Sequence, residues 1–191
     1  EEHEAFRQTV RAWVQREIVP HVGAWEEAEA FPRELYDKAA QQGFFGLKYP
    51  EALGGTGAGV FFEAVLHEEL SKCGSGGVAA GLGAQATIAT GPLHLFGNDE
   101  LKQRFLVPAI RGEKIGAFAV TEPGGGSDVA GLKTTARKDG DHYVLNGSKT
   151  YITNGVVADY VIVAVKTDPA RGHKGLSMVI VEKGTPGFGV S

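Results

Sequence analysis

The chain has 191 residues, 42% of them hydrophobic and 28 of them glycine, which fits one sizeable or two small globular domains rich in tight turns. A formal net charge of −4 offers no basic field to nucleic acid or anionic lipid, and the single Cys73 cannot close an internal disulfide. No apolar run approaches the ~20 residues that span a bilayer, and Glu1-Glu2-His3-Glu4 has no targeting pattern, so a cytoplasmic protein that binds neither nucleic acid nor membrane is expected.

The first half reads as helix. Phe6, Val10, Trp13, Val14 and Ile18 recur at helical spacing, and Pro20 ends the run. Leu35, Ala39, Phe44 and Phe45 predict a second helix that starts near Pro32 and is broken by Gly43. Tyr49 to Gly59 is a glycine-rich loop, and Phe62, Val65, Leu66 and Leu70 mark a third helix. Residues 77–96 are small, apolar and nearly uncharged, the pattern of a helix buried all round. A short further helix is predicted over Asp99 to Ile110.

After Gly112 the period changes. Thr134 to Lys138, Asp139-Gly140 and Tyr143-Val144-Leu145 form a hairpin signal, and Val161 to Val165 and Ser177 to Val181 read as buried strands. Helices first and strands second predict an α+β chain of two modules, a helical domain over residues 1–112 and a β domain over residues 113–191. The chain opens without Met inside an amphipathic pattern and stops as an extended run begins at Gly187 to Ser191, so a fragment is expected, its β domain incomplete.

Two stretches carry the chemical information. In Ala119-Val120-Thr121-Glu122-Pro123-Gly124-Gly125-Gly126-Ser127-Asp128-Val129-Ala130-Gly131 a strand runs into a glycine loop that ends in a hydroxyl and a carboxylate. Consecutive glycines let backbone N–H groups converge on an anion, although a plain surface turn has the same composition. The loop lacks the Gly-Lys-Ser/Thr ending of a nucleotide triphosphate site. The second stretch, Leu145 to Gly155, sets Tyr151 and Thr153 two residues apart, on one side if the segment is extended. Such a pair can offer a stacking face and a donor to one planar heterocycle, or it can be an ordinary hairpin with a core tyrosine.

Together these stretches resemble the acyl-CoA dehydrogenase family. The first matches its signature through Ala119, Thr121-Glu122, Gly126-Ser127-Asp128 and Gly131, and the second is similar to its aromatic-Ile-Thr-Asn-Gly segment. Tyr49-Pro50-Glu51 with Gly54-Gly55, Phe96 to Glu100 and Lys183 to Gly187 follow in the family's order. The resemblance implies a helical domain, a β-barrel-like middle domain and an absent C-terminal helical bundle. It implies FAD-dependent conversion of an acyl-CoA thioester to the trans-2-enoyl-CoA, with electrons passed to an electron-transfer flavoprotein, in a homotetramer built as a dimer of dimers.

By motif position, the resemblance assigns Phe118, Val120, Thr121, Gly126, Ser127, Tyr151, Ile152 and Thr153 to the cofactor, with Thr153 near flavin N5 and Tyr151 on the ring face. The family's usual Trp or Phe is Tyr at position 151. Ser127 also belongs to the substrate set, with Ala84, Gln85 and Ile88 on the acyl wall, although plain helix–helix packing accounts equally well for Ala84 and Ile88. Gln85 is expected to limit pocket depth or to meet a polar acyl group, and small Gly81, Gly83 and Ala84 suggest medium or long chains. His173 and Lys174 read as a solvated loop that can approach CoA phosphates in relatives, and Glu122 and Asp128 as shaping the glycine loop. The family's carboxylate base lies outside these residues, so none is assigned as catalytic, and the fragment alone is expected to hold FAD weakly and not to turn over. The alternatives are an acyl-CoA oxidase or nitroalkane oxidase-like flavoenzyme, or a non-catalytic acyl-CoA or flavin-binding module.

Overall fold

A computed structural model describes residues 1–190, and they divide into two compact units, the first ending at Ile115 and the second beginning at Gly116. The first is helical. Helix α1 (Glu2–Glu17) buries Val10, Trp13 and Val14 as one stripe, and Ile18 is buried just beyond its end. Pro20 then sits at the start of a 3-10 turn over Val19–His21, where a missing N–H leaves no helical bond unmade. Helix α2 spans Val22–Glu27 and α3 spans Glu34–Gln41, with Leu35, Tyr36 and Ala39 buried.

Phe44 and Phe45 were expected in the second helix but lie beyond it. Gly43 adopts φ 76°, and both rings enter the core from the connection that follows, Phe44 meeting Trp13 edge-on with ring centroids 5.2 Å apart. Burying each such ring contributes on the order of 2 kcal/mol. Helix α4 (Val60–Leu70) buries Val65, Leu66 and Leu70 together with one carboxylate, Glu69. That charge is tolerated because Arg7, Arg11 and Lys72 place nitrogens 3.0, 2.9 and 2.6 Å from it.

The stretch expected to be one helix buried all round is not. Helix α5 (Gly76–Gly83), capped by Ser75, passes into a π turn over Ala84–Ile88, and α6 (Gly91–Phe96) follows after a break. Ile88, Leu95 and Phe96 are exposed, because the wide turn and the Gly91-Pro92 restart re-aim the apolar positions. Helix α7 (Asp99–Leu101), a second π turn (Lys102–Leu106) and α8 (Val107–Ile110) complete the unit. No helix among the described residues is long and apolar enough to cross a membrane.

The second unit is a five-stranded sheet of β1 (Gly116–Ala119), β2 (Thr135–Asp139), β3 (His142–Asn146), β4 (Tyr160–Lys166) and β5 (Leu176–Glu182). Tyr160 to Val165 are all buried, the signature of a strand covered on both faces. Accordingly β4 is central, parallel to β1 with Ala117 opposite Val161, and antiparallel to β5 with Val161 opposite Val181. Strands β2 and β3 form the expected hairpin around Gly140-Asp141, with Gly140 at φ 59°. The α+β class is as read from the sequence, but the sheet is open and not barrel-like. The hairpin meets β4 through one pair, Thr135 with Lys166, and no described strand joins its outer edge, where Tyr143 and Val144 are exposed.

Candidate functional site

Strand β1 sets the first part of the site by alternation. Ala117 and Ala119 point into the sheet's core, so Phe118 and Val120 share the opposite, half-buried face. Thr121 follows, and there the chain folds back. Glu122 and Gly125 exchange reciprocal N–H···O bonds of 3.0 Å across Pro123-Gly124, closing a tight turn.

The Glu122 side chain fixes that turn from beneath. It is 7% exposed, and its carboxylate accepts from the Lys133 amide at 2.6 Å, the Thr134 amide at 2.9 Å and the Lys149 ammonium at 3.0 Å. Burial pushes its pKa up, but these donors outweigh that and hold the group down to about 2. At the loop's far end Asp128 accepts from the Gly131 amide at 3.1 Å. A Cβ at Gly131 would lie 2.3 Å from the Asp128 carboxylate, so a larger residue there would displace that side chain and its bond to the Gly131 amide. Gly124 and Gly125 face open space, whereas Gly126 lies against the Thr121 side chain, and Ser127 is exposed. Glu122 and Asp128 thus shape the loop and leave Gly124 and Gly125 bare.

The second stretch is stitched onto the first. The Thr150 amide donates to the Thr121 carbonyl at 3.0 Å, and Lys149 reaches the Val120 carbonyl at 2.9 Å while pairing with Glu122. Tyr151 is consequently presented beside Thr121, and its presentation is unusual. It is 92% exposed and held at φ 56° in the left-handed region, which costs a non-glycine residue roughly 1–2 kcal/mol. Ile152 packs its side chain on the sheet's apolar cluster. Thr153 is exposed at the start of a turn closed by the Gly155 amide on the Ile152 carbonyl at 2.8 Å. The segment is not extended, so the two-residue spacing does not by itself put Tyr151 and Thr153 on one side.

The helical unit treats its candidates differently. Ala84 and Gln85 are buried, and the Gln85 amide nitrogen donates to the Ala109 and Lys114 carbonyls at 3.0 and 2.9 Å. The expectation that Gln85 meets an acyl group is therefore corrected: its donor braces α5 and its π turn against the end of α8. Of the three proposed wall residues only Ile88, 54% exposed, presents its side chain. The smallness of Gly83 also has a local cause, since a Cβ there would lie 3.0 Å from the His67 ring, so it says nothing about chain length. His173 and Lys174 are exposed within Pro169–Gly175, two short 3-10 turns separated by a kink at Gly172. Sequence reading missed Lys149, the cation that joins both stretches; the available signal was a lysine two residues before an aromatic in an otherwise uncharged run.

The comparisons with known proteins follow the same division. Residues 1–113 match the family described as acyl-CoA dehydrogenase, N-terminal domain, and residues 117–191 match acyl-CoA dehydrogenase, middle domain. The chain belongs to the acyl-CoA dehydrogenase family. A short-chain specific acyl-CoA dehydrogenase of Clostridium acetobutylicum is 42% identical over 190 residues, 99% of this chain and 50% of that protein. The crystal structure of an acyl-CoA dehydrogenase from Geobacillus kaustophilus superimposes with a TM-score of 0.92 at 43% identity, covering 98% of this chain and 49% of that one. One from Bacillus anthracis, described as complexed with FAD, gives 0.90 at 39% identity, covering 100% of this chain and 32% of that one. The chain spans about half the length of the curated relatives it matches.

Proposed function

We propose that the whole acyl-CoA dehydrogenase of which this chain forms part binds FAD and removes hydrogen from the α and β carbons of an acyl-CoA thioester, giving the trans-2-enoyl-CoA. The observation that carries the reading is the stitching of the two stretches through Lys149, Glu122 and the Thr150–Thr121 bond. It gathers on one unit a bare glycine loop, the Thr121 hydroxyl and an exposed aromatic ring. These fit a flavin dinucleotide: backbone N–H groups of Gly126 and Ser127 suit phosphate oxygens, and the Tyr151 face suits a planar ring. When bound, FAD supplies the hydride acceptor.

The chain's own residues bind and orient. Phe118, Val120 and Thr121 line the ring through backbone groups and the hydroxyl, the Ile152 backbone and the Thr153 hydroxyl flank it, and Ser127 serves both cofactor and CoA. Ala84 contributes bulk behind the acyl wall and Ile88 its surface. Electron transfer to an electron-transfer flavoprotein and assembly as a dimer of dimers belong to the same proposal, supported by family membership, and a cytoplasmic setting is proposed with them.

Anaerobic titration of the whole protein with acyl-CoAs of graded length is expected to bleach the oxidised-flavin spectrum, and Tyr151→Ala to weaken FAD retention on gel filtration. A whole protein that takes up no FAD, or whose flavin no acyl-CoA reduces, overturns the proposal.

A further inference from the structure

The π turn over Ala84–Ile88 is braced by side chains to an unusual degree. Its defining bond runs from the Ala89 amide to the Ala84 carbonyl at 2.9 Å, five residues back. Thr90 sets its hydroxyl 3.1 Å from both the Gln85 and Ala86 carbonyls, and the Tyr49 hydroxyl donates to Thr90 at 2.6 Å. Lys48 reaches the Thr87 carbonyl at 3.3 Å, and Thr87 bonds the Gly83 carbonyl at 2.9 Å. Tyr49 and Thr90 are both 0% exposed, so this hydroxyl pair is a buried polar device within an apolar helix.

A π turn holds one residue more than an α turn, and each residue occupies ~100° of the helix circumference. The extra residue therefore changes the angle at which the last residues of the turn leave the helix axis, relative to a continuous α-helix. Ile88, the last residue of the turn, is exposed, while Ala89 and Thr90 just past it are wholly buried. Without the Thr90 hydroxyl the Gln85 and Ala86 carbonyls lose their side-chain donor, and the register that presents Ile88 loses its main polar support.

We infer that Thr90, held by Tyr49, is a positioning residue that fixes the π register and so sets acyl-chain selectivity through Ile88. The inference rests on the acyl-CoA reading given above. In the FAD-loaded whole protein, kcat/KM is measured for butyryl-CoA and dodecanoyl-CoA in the native sequence and in T90V, T90S and Y49F. T90V and Y49F are expected to shift the ratio of the two values by on the order of three- to tenfold. T90S, which keeps the hydroxyl, is expected to leave the ratio within about twofold. The shift resides in KM more than kcat, and in an Ile88→Ala background T90V adds nothing further.

A folded Y49F or T90V with the native ratio overturns the inference, as does a shift in T90V that persists undiminished beside Ile88→Ala. If T90V fails to fold, Y49F and its double variant with Ile88→Ala decide. A native protein whose flavin no acyl-CoA reduces sinks the acyl-CoA reading instead, so the two failures are distinguishable.

Discussion

Among the described residues each unit buries one carboxylate, and the two are held in opposite ways. Glu69 in the helical unit is ringed by long side chains, with Arg7 about a quarter exposed and Arg11 and Lys72 about half exposed. Glu122 in the β unit is held by two backbone amides and by a lysine whose side chain is only 9% exposed. Both acids are held down to about 2, against burial. The difference lies in what is left behind when the acid goes. Around Glu69 the cations can swing into water, whereas around Glu122 the donors belong to the fold itself. A helical core tolerates such a charge as a peripheral clamp; the β unit uses one to join the two stretches of its site.

The largest expected effect is that of Glu122→Ala. It strands a buried ammonium and two amides, which costs about 3–5 kcal/mol. Hydrogen exchange of β1 and β4 amides reads this directly. Both tryptophans, Trp13 and Trp25, lie in the helical unit, so their fluorescence transition in urea is expected to stay in place. Replacing both partners, as E122L with K149M, should recover part of the loss, since it removes the orphaned charge. A loss below ~1 kcal/mol in Glu122→Ala would show that the loop is shaped by its glycines alone.

Glu69→Ala is expected to cost less, about 1–2 kcal/mol, because three partly exposed cations regain water. Acid and salt sharpen the contrast. Each carboxyl binds its proton less readily when folded than at its ordinary 4.5, so its contribution is complete above about pH 4.5 and is lost as pH falls towards 2. That contribution is at most about 3 kcal/mol for Glu122, and less for Glu69 once the screening of its exposed partners is counted. Adding 1 M NaCl at pH 7 should narrow the stability gap between native and Glu69→Ala, read by tryptophan fluorescence, and leave the Glu122→Ala gap nearly unchanged. Equal salt responses would remove the distinction between the two clamps.

Much of this was legible in the sequence, for reasons that differ between the units. The spacing of Val10, Trp13 and Val14 gave α1, and the unbroken apolar run Val161 to Val165 gave β4, because burial on one stripe or on both faces leaves a periodic trace. The π turn left none. It depends on hydroxyls at Tyr49 and Thr90, 41 residues apart, that meet only in the fold. Gln85 was misjudged for the same reason, its partners Ala109 and Lys114 being distant backbone carbonyls. The glycine loop and Tyr151 were found through motif spacing, but the left-handed backbone of Tyr151 was not, since nothing in an aromatic residue announces a positive φ.

That backbone yields the smallest prediction. The Tyr151 side chain is 92% exposed, so little packing is forfeited when it is removed, while its φ of 56° is a conformation that asparagine accepts more readily. Tyr151→Asn should therefore stabilise the β unit by about 0.5–1 kcal/mol, read as slower exchange of the amides around Thr150 and Gly155. In the whole protein the same change should weaken FAD retention, because the stacking face is gone. Stabilisation with weaker retention means that the strained turn is maintained to aim the ring, a cost located at the site and met by the Glu122 clamp beneath it. Stabilisation with unchanged retention would leave the tyrosine an incidental occupant of a tight turn. Destabilisation would mean that its ring, despite its exposure, supports the fold.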